Sequence, residues 1–431
     1  MRRSKRSREH RWGRARPDRR IVAFFGLFGV GNYGNEASLE AGIRSARRID
    51  PDADLRCICA NPELVAAQHG LATESIVSSG RVPSRVPGPR IVRLATRPVL
   101  ERARWIEAYR ISRRVSSIIV PGTGILDDFG VRPLEMPYDL FRWCLAARLA
   151  RTPMSFVSVG AGPIEHPLSR WFMRAAVRLS TYHSYRDHGS RSFMVSIGSD
   201  GAGDRVMPDV VFGLSLPESG PPRASTHVGL GVMAYYGWAN DPSTGEAVFQ
   251  TYMGKIAQLA RRLIDAGHTV RLLVGEDSDE RAVALLVESL RSGDADFPED
   301  RLIREPITSL HDLFGQIART DAVIATRFHN VLGAVMMERP TVSIGYAEKN
   351  VELMESMGLG DFCHHVDRFE VDHVLDDFAA LMDRWDDLAH GVHEQNVVNA
   401  RLVEEQFELV LGPSPTRHDN FPLDGTTKGT T

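Results

Sequence analysis

Short apolar runs alternate with amphipathic segments along most of the chain. The first series of runs is residues 21–25, 55–59, 117–120, 154–159, 182–185 and 210–212, and the second is residues 227–234, 269–274, 321–326 and 341–344. Between them, apolar side chains recur with the spacing of one helix face. This alternation predicts strands that are each followed by a helix, the pattern of βα units on a parallel sheet.

Helices are predicted after most of these strands. In the first half they span residues 36–48, 62–69, 138–150, 167–179 and 189–195, with one more ending near residue 113. In the second half they span residues 248–266, 280–290 and 310–319, a segment ending near residue 338, and two helices over residues 371–411. Residues 80–98 contain four prolines and predict a loop.

A polar stretch at residues 216–225, with three prolines and one glycine, predicts a linker between two domains. We expect one Rossmann-like domain over residues 21–215 and a second, with terminal helices, over residues 226–411. A basic tail over residues 1–20 and a polar tail over residues 412–431 flank them. The predicted fold class is α/β with two doubly wound domains, so ligands should bind in the cleft between them, at the carboxyl ends of the strands.

Charge is distributed unevenly along the chain. The formal net charge is −3, but residues 1–20 contain ten Lys/Arg against Glu9 and Asp18, a local +8 that leaves −11 on the remainder. A segment so poor in apolar residues cannot offset its ordering entropy by burial, so we expect a solvated, disordered tail. It could make peripheral contact with an anionic membrane. We expect no nucleic-acid partner.

Composition favours a globular, soluble protein. The chain has 431 residues, 43% of them hydrophobic, which is enough for two or three domains. Its four scattered cysteines lack the spacing of a zinc site, which favours a reducing cytoplasm and predicts no metal. No stretch reaches the roughly 18 apolar residues of a spanning helix. Residues 21–30 lack the cleavage site of a signal peptide and are predicted to begin the first strand.

One strand end combines the groups that bind an anion. Arg327 and His329 flank Phe328 at the predicted first turn of the helix that ends near residue 338. Free backbone N–H groups, the helix dipole and a permanent cation together attract a phosphate or a carboxylate. The alternative is that Arg327 pairs with a structural acid and that His329 packs or caps the helix.

Glycine-rich loops follow three strands of the first half, at residues 26–36, 122–128 and 160–164. The first superficially resembles a dinucleotide fingerprint, but no acid follows the second strand, so we expect no nicotinamide cofactor. The alternative interpretation of this first loop is a glycine-rich turn in which Asn35 is the N-cap of the following helix. The candidate ligand-contacting residues of these loops are Gly31, Asn32, Asn35, Glu36, Gly122, Thr123, Gly124, Asp127, Asp128 and Gly162.

Charged side chains follow two of the strands in the first half. Asp127 and Asp128 could orient a hydroxyl group, or could only begin a turn. Arg186 follows the strand at residues 182–185 and could place a cation at the rim of the site. The alternative is that Arg186 only forms a surface ion pair with Asp187. If the two halves close, Arg186 and Arg327 face one cleft from opposite sides, and a compact phosphate-bearing carboxylate would satisfy both.

Taken in order, these motifs resemble the polysaccharide pyruvyl transferases, including the S-layer cell-wall-polymer and colanic-acid biosynthesis types. The matching segments are GNYGNE at 31–36, GTGILD at 122–127, GAGPI at 160–164, YRDHGS at 185–190, PDVVF at 208–212 and RFH at 327–329. The resemblance implies a GT-B-like fold with an interdomain cleft. It also implies transfer of a pyruvyl group from phosphoenolpyruvate to a sugar, forming a ketal.

The resemblance further implies roles for individual residues. Arg186, Arg327 and His329 match the family's phosphoenolpyruvate site, so we expect the arginines to bind the donor anions and His329 to bind phosphate or deliver a proton. Phosphoenolpyruvate is then the co-substrate, and no cofactor is expected. The acceptor is a saccharide, which could be lipid-linked, and the expected location is the cytoplasm, at the inner membrane face for a lipid-linked acceptor.

Two positions depart from the family pattern: Asn35, where an acid is usual, and Thr123, where a glycine is usual. If the missing acid is a base in relatives, Asp127, Asp128 or Glu36 replaces it here, and the sequence does not choose among them. Two rival hypotheses share the fold. One is a GT-B glycosyltransferase that uses a nucleotide sugar, and the other is a catalytically silent member with a binding role.

Overall fold

The structure is a computed structural model of the full chain. It describes residues 19–77, 90–201, 203–218, 226–237, 242–292 and 297–412. The predicted polar tail, nearly all of the basic tail and most of the predicted linker lie outside these residues.

The N-terminal sheet is parallel throughout and has the strand order β3-β2-β1-β4-β5-β6-β7. Its strands are β1 (Ile21–Gly26), β2 (Asp54–Cys59), β3 (Ala72–Ser75), β4 (Ser117–Pro121), β5 (Met154–Val159), β6 (Tyr182–Tyr185) and β7 (Arg205–Val206). Its helices are α1 (Tyr33–Ile49), α2 (Pro62–His69), α3 (Arg90–Ser112), α4 (Met136–Ala150), α5 (Pro167–Leu179) and α6 (His188–Ser196). The strand order reverses at β1, the position at which open α/β sheets bind ligands.

The C-terminal sheet repeats this plan with the order β10-β9-β8-β11-β12-β13. Its strands are β8 (His227–Gly231), β9 (Thr269–Leu273), β10 (Leu302–Ile303), β11 (Ala322–Ala325), β12 (Thr341–Gly345) and β13 (Cys363–His365). Its helices are α7 (Pro242–Asp265), α8 (Glu280–Arg291), α9 (Leu310–Ile317), α10 (Phe328–Met336), α11 (Glu348–Ser356) and α12 (Val371–Leu411). The predicted α/β fold with two Rossmann-like sheets is confirmed.

The central strands are apolar on both faces because helices cover both sides of each sheet. Every residue of β1, β4 and β5 is buried. One face of the N-terminal sheet packs with α3, α4 and α5 around Trp143 and Phe156. The other packs with α1 around Phe24 and Leu39. The carboxyl ends of the strands are left for loops, and those loops carry the candidate site.

Helix α12 ties the two halves of the molecule together. We predicted two helices over residues 371–411, whereas the structure has one continuous helix. Its last turns return to the N-terminal domain, where Gln406 Nε2 donates to Ser158 Oγ at 2.8 Å and Arg48 contacts Glu408 at 3.3 Å. The periodicity of an amphipathic helix does not say that its contacts pass from one domain to the other.

Three local predictions were wrong. Residues 210–212, predicted as a strand, form a 3-10 helix because the side chain of Asp209 accepts from the N–H of Val211. Pro98, predicted in a loop, lies inside α3. Helix α1 begins at Tyr33 and not near residue 36, since Asn32 caps it. The short elements β3, β7, β10, β13 and α11 were not predicted, because so few residues carry little periodicity.

Candidate active site

Hydrogen bonds between the domains hold the carboxyl ends of the two sheets against each other. The hydroxyl of Tyr33, at the start of α1, donates to Asp277 Oδ1 at 2.7 Å and is 2.7 Å from the carbonyl oxygen of Ile307. Glu352 of α11 accepts from the N–H groups of His188 and Gly189 at the start of α6, at 2.6 Å for Gly189. The two sides of the cleft therefore lie in contact.

His329 lies at the centre of this contact. Its ring packs directly on the backbone of Gly34 in the opposite domain, so any side chain at position 34 would overlap the ring. The Nε2 atom is buried and has no hydrogen-bond partner among the described residues. A buried ring nitrogen without a partner can accept or donate one hydrogen bond to a ligand.

His329 is neutral in this environment. Burial lowers its pKa well below the ordinary value, and the charges of Arg186, Lys349 and Arg327 lower it further. We predicted that His329 could deliver a proton because the pKa of histidine is ordinarily near neutrality. The lowered pKa of His329 does not support that role in this environment. A bound phosphate would raise this pKa again, because an opposite charge favours the protonated ring.

Arg186 faces the cleft with much of its hydrogen-bonding capacity free. Its guanidinium carbon lies 5.2 Å from the centre of the Phe328 ring, across the domain boundary. It sits so close to the backbone of Gly160 that a Cβ there would approach Nη2 at 2.7 Å. Its ion pairs with Asp209 and Asp187 are both long, at 3.5 Å, and its buried Nε has no hydrogen-bond partner among the described residues.

Arg327, in contrast, is held by two acids of its own domain. Its Nε and Nη2 donate to Asp279 at 2.9 and 2.6 Å, and Nη1 lies 3.0 Å from Glu276. Asp279 is fully buried. The structure thus shows the alternative stated above, a structural ion pair, and it does not support direct anion binding by Arg327.

The second cation that faces the cleft is Lys349, at the start of α11. Its Nζ lies 5.5 Å from the centre of the Phe328 ring and 4.9 Å from that of Tyr346. Arg186 and Lys349 therefore flank one aromatic ring from two domains. Sequence analysis missed Lys349 because α11 was not predicted. The strand end after residue 344 was the signal that could have found it.

The positive potential at this position is strong enough to lower the pKa of a buried phenol. Burial of Tyr346 opposes its ionisation, yet Lys349, Arg327 and Arg186 lower its pKa below the ordinary value. An anionic ligand would be stabilised by the same potential.

Of the three candidate acids, Asp127 is the one that shares this environment. Burial raises the pKa of Asp127 to about 6, although the N–H of Phe129 and the charges of Lys349 and Arg186 work in the opposite direction. Asp127 Oδ1 accepts from Phe129 N at 3.2 Å. A carboxyl group with this pKa can exchange a proton near neutral pH.

The other two acids hold loops. Asp128 accepts from the N–H groups of Glu165 and His166 at 2.8 and 3.0 Å, which fixes the third glycine-rich loop. Glu36 Oε1 accepts from Gly29 N at 2.6 Å, which fixes the first. Burial raises the pKa of Glu36, and its Oε2 is buried without a partner in the described part of the chain.

The remaining loop candidates shape the cleft. Asn32, not Asn35, is the N-cap of α1, and the side chain of Asn35 donates to the carbonyl of Leu27 at 3.2 Å. Thr123 Oγ1 is buried without a hydrogen-bond partner among the described residues. The other candidates are glycines: Gly31 accepts from Asp277 N at 3.4 Å, Gly122 donates to Val157, Gly124 lies beside Arg186, and Gly162 precedes a cis proline.

Within the described ranges, no group of three His, Cys, Asp or Glu side chains is arranged to hold a metal ion. Nor does any helix in them combine the length and apolar character that crossing a bilayer requires.

The family model for polysaccharide pyruvyl transferase matches residues 32–348, which include Asp127, Arg186, Arg327, Phe328 and His329 and end one residue before Lys349. The chain belongs to the polysaccharide pyruvyl transferase family. It is therefore a transferase of polysaccharide biosynthesis that acts on a saccharide acceptor, as predicted. The curated proteins contain no match to this pyruvyl transferase.

Solved structures with the same fold include sugar-nucleotide enzymes. A UDP-GlcNAc 2-epimerase from Neisseria meningitidis bound to UDP-GlcNAc is 10% identical, with a TM-score of 0.55 over 91% of this chain and 99% of its own. HepE from Anabaena, in complex with UDP and glucose, is 14% identical, with a TM-score of 0.55 over 90% and 97%. A lipopolysaccharide outer core galactosyltransferase is 14% identical, with a TM-score of 0.50 over 91% and 99%. These likenesses confirm the predicted GT-B-like fold.

Proposed function

We propose that this pyruvyl transferase takes its pyruvyl group from phosphoenolpyruvate and forms a ketal on two hydroxyls of the acceptor sugar. One observation supports the proposal above others: Arg186 and Lys349, from different domains, flank the Phe328 ring beside His329 and Asp127. Phosphoenolpyruvate carries a phosphate and a carboxylate on three carbons. Two cations that approach one site from different domains suit such a compact anion.

Each residue has a distinct part in donor binding. Arg186 and Lys349 contact the phosphate and the carboxylate. Neutral His329 hydrogen-bonds the donor through Nε2, the atom that has no partner in the described residues. Arg327 is a positioning residue, because its bonds to Asp279 fix the start of α10 and with it Phe328 and His329.

Asp127 supplies the proton. In its protonated form it protonates the methylene carbon of the donor, and the first sugar hydroxyl attacks the adjacent cationic carbon. The carbon–oxygen bond to phosphate then breaks, and the second hydroxyl closes the ketal. Of the two hydroxyl protons, one restores Asp127 and the other leaves with phosphate. A pKa of about 6 keeps both forms of Asp127 accessible.

Ligand-induced stabilisation tests the donor. Phosphoenolpyruvate at about 100 times its Kd should stabilise the protein by about 2.7 kcal/mol, measured by thermal shift, whereas UDP should not. Lys349→Met should weaken phosphoenolpyruvate binding about 10–100-fold, because it removes a charged contact. The matched control is Lys255→Met, whose Nζ pairs with Glu370 at 3.1 Å on another surface of the same domain.

Three outcomes would contradict the proposal. Stabilisation by UDP but not by phosphoenolpyruvate would favour a nucleotide-sugar glycosyltransferase. Stabilisation by neither would favour a binding role. Equal losses in Lys349→Met and Lys255→Met would remove the donor site from this cleft.

A further inference from the structure

The outer side of the α3–α4–α5 layer carries an apolar surface that the proposed reaction does not use. A cavity of about 660 Å³ between α3 and α4 is lined by Trp105, Ile106, Tyr109 and Leu149. An aromatic row continues it across the layer: Trp105 lies 6.3 Å from Phe141, and Phe141 lies 5.2 Å from Trp171, between ring centres. We call this surface, which comprises Trp105, Ile106, Tyr109, Phe141, Leu149 and Trp171, the outer face.

Large side chains on the outer face are exposed to an unusual degree. Leu149 is 62% exposed, Trp171 46% and Ile106 41%. Tyr109, which also lines the cavity, is 37% exposed. A helix on the surface of a soluble domain normally presents polar residues outward, and a concentrated apolar patch marks an interaction site.

The rim of the outer face is basic. Arg110, Arg113 and Arg114 line the same cavity, and Arg148 is exposed beside Leu149. No carboxylate of the described residues forms an ion pair with any of these four arginines. The sequence from residue 90 to 114 contains eight arginines and two glutamates, in a chain whose formal net charge is −3. The partner must therefore be apolar and negatively charged.

These features distinguish between candidate occupants. A second copy docked face to face would bring the two arginine groups together, since a two-fold interface apposes like residues. An anionic bilayer instead offers phosphates to the arginines and an acyl boundary to Leu149 and Trp171. Trp and Tyr side chains favour this boundary because one end of each is apolar and the other polar.

We propose that the outer face docks the protein on a membrane surface rich in anionic phospholipid. Docking is a property of the α3–α5 layer and does not depend on the donor assigned above. If the proposed function holds, docking would also place the enzyme where a lipid-linked acceptor is found.

Site-specific labelling tests the contact in the full-length protein. An environment-sensitive fluorophore is attached to the cysteine of a Leu149→Cys variant. The control is the same fluorophore on Val397→Cys, because Val397 on α12 is similarly exposed at 57%. With vesicles of phosphatidylglycerol and phosphatidylcholine, we expect a blue shift and increased emission at position 149 only. Vesicles of phosphatidylcholine alone should give a much smaller change. Cys57, Cys59 and Cys144 are buried, and the partly exposed Cys363 is replaced by Ser in both labelled proteins.

Charge variants test the rim by co-sedimentation with the same vesicles. Arg110→Gln/Arg113→Gln/Arg114→Gln should lower vesicle partitioning about 100-fold, at about fivefold per arginine. The control, Arg291→Gln/Arg304→Gln/Arg319→Gln, removes equal charge from exposed positions of the C-terminal domain. Thermal unfolding confirms that both variants fold.

Several results would overturn the proposal. Equal losses in both triple variants would show a general charge effect. Co-sedimentation without a change at position 149 would assign binding to another segment, such as the basic residues 1–20. A shift at position 149 that grows with protein concentration in the absence of lipid would assign the outer face to a second copy.

Discussion

Arg186 and Arg327 have similar local sequences but different environments. Each closely follows a parallel strand, β6 or β11, and precedes a helix, α6 or α10. Arg327 forms two short hydrogen bonds to Asp279 and a third contact with Glu276. Among the described residues, Arg186 has two ion pairs of 3.5 Å and a cation–π contact with Phe328.

The difference shows that a cation at a strand end can serve either stability or ligand binding. Asp279 is fully buried and needs a permanent partner, because an unpaired buried carboxylate costs several kcal/mol. Arg327 meets that need. The donors of Arg186 are less fully engaged, so a ligand anion can gain more from it.

Arg327→Ala should therefore act mainly on stability. Removing the partner of a buried carboxylate should cost about 3–5 kcal/mol, measured by urea unfolding. The double variant Arg327→Ala/Asp279→Asn should recover part of this loss, since it removes the unpaired charge. An Arg327→Ala protein of unchanged stability that cannot bind phosphoenolpyruvate would reverse the comparison and restore direct donor binding by Arg327.

Arg186→Ala should act mainly on activity. The loss of one preorganised donor to the reacting anion should lower kcat/KM for phosphoenolpyruvate about 10²–10³-fold, measured by phosphate release with an acceptor. Arg186→Lys, which keeps a charge beside Asp209, should recover part of it. A loss of less than about threefold would place the donor elsewhere.

Asp127→Asn should stabilise the protein while it lowers kcat. The pKa of Asp127 is about 6 in the folded protein and ordinarily 3.8, so folding disfavours the carboxylate. Burial of the Asp127 carboxylate lowers the free energy of unfolding. This destabilisation is absent below about pH 4, develops as pH rises through about 6, and reaches at most about 3 kcal/mol.

The Asn variant should therefore gain stability at pH 8 and none at pH 3.5, measured by thermal unfolding at about those pH values. It should also lose the kinetic ionisation near pH 6, with kcat reduced about 10²-fold or more. An unchanged pH–rate profile would exclude Asp127 as the acid.

Glu352→Gln should have the smallest effect. Glu352 joins the domains by accepting from the N–H groups at the start of α6, two residues after Arg186. Gln keeps a hydrogen-bond acceptor but loses the negative charge. The interaction of that charge with the N-terminus of α6 stabilises the protein by about 0.3–1 kcal/mol. We expect kcat/KM to fall a few-fold, less so at high salt. Loss as large as that of Arg186→Ala would make Glu352 part of donor binding.

Much of the fold could be predicted from the sequence because buried strands and amphipathic helices repeat locally. The bounds of α2, α5, β5 and β6 were predicted to the residue. Short edge elements and α11 were not, and Lys349 was missed with α11. Asp209 decided one local structure against the apolar pattern, because its side chain favours a turn.

The sequence by itself determined the βα alternation, the glycine-rich strand ends and the motifs that identify the family. Local periodicity, turn chemistry and residue order are properties of neighbouring positions, so they can be recognised without coordinates. Only the tertiary structure decided which arginine is paired, which acid lies among cations and which lysine completes the site. Those properties depend on residues far apart in sequence, as with Arg327 and Asp279, and on burial, which sets the pKa of Asp127.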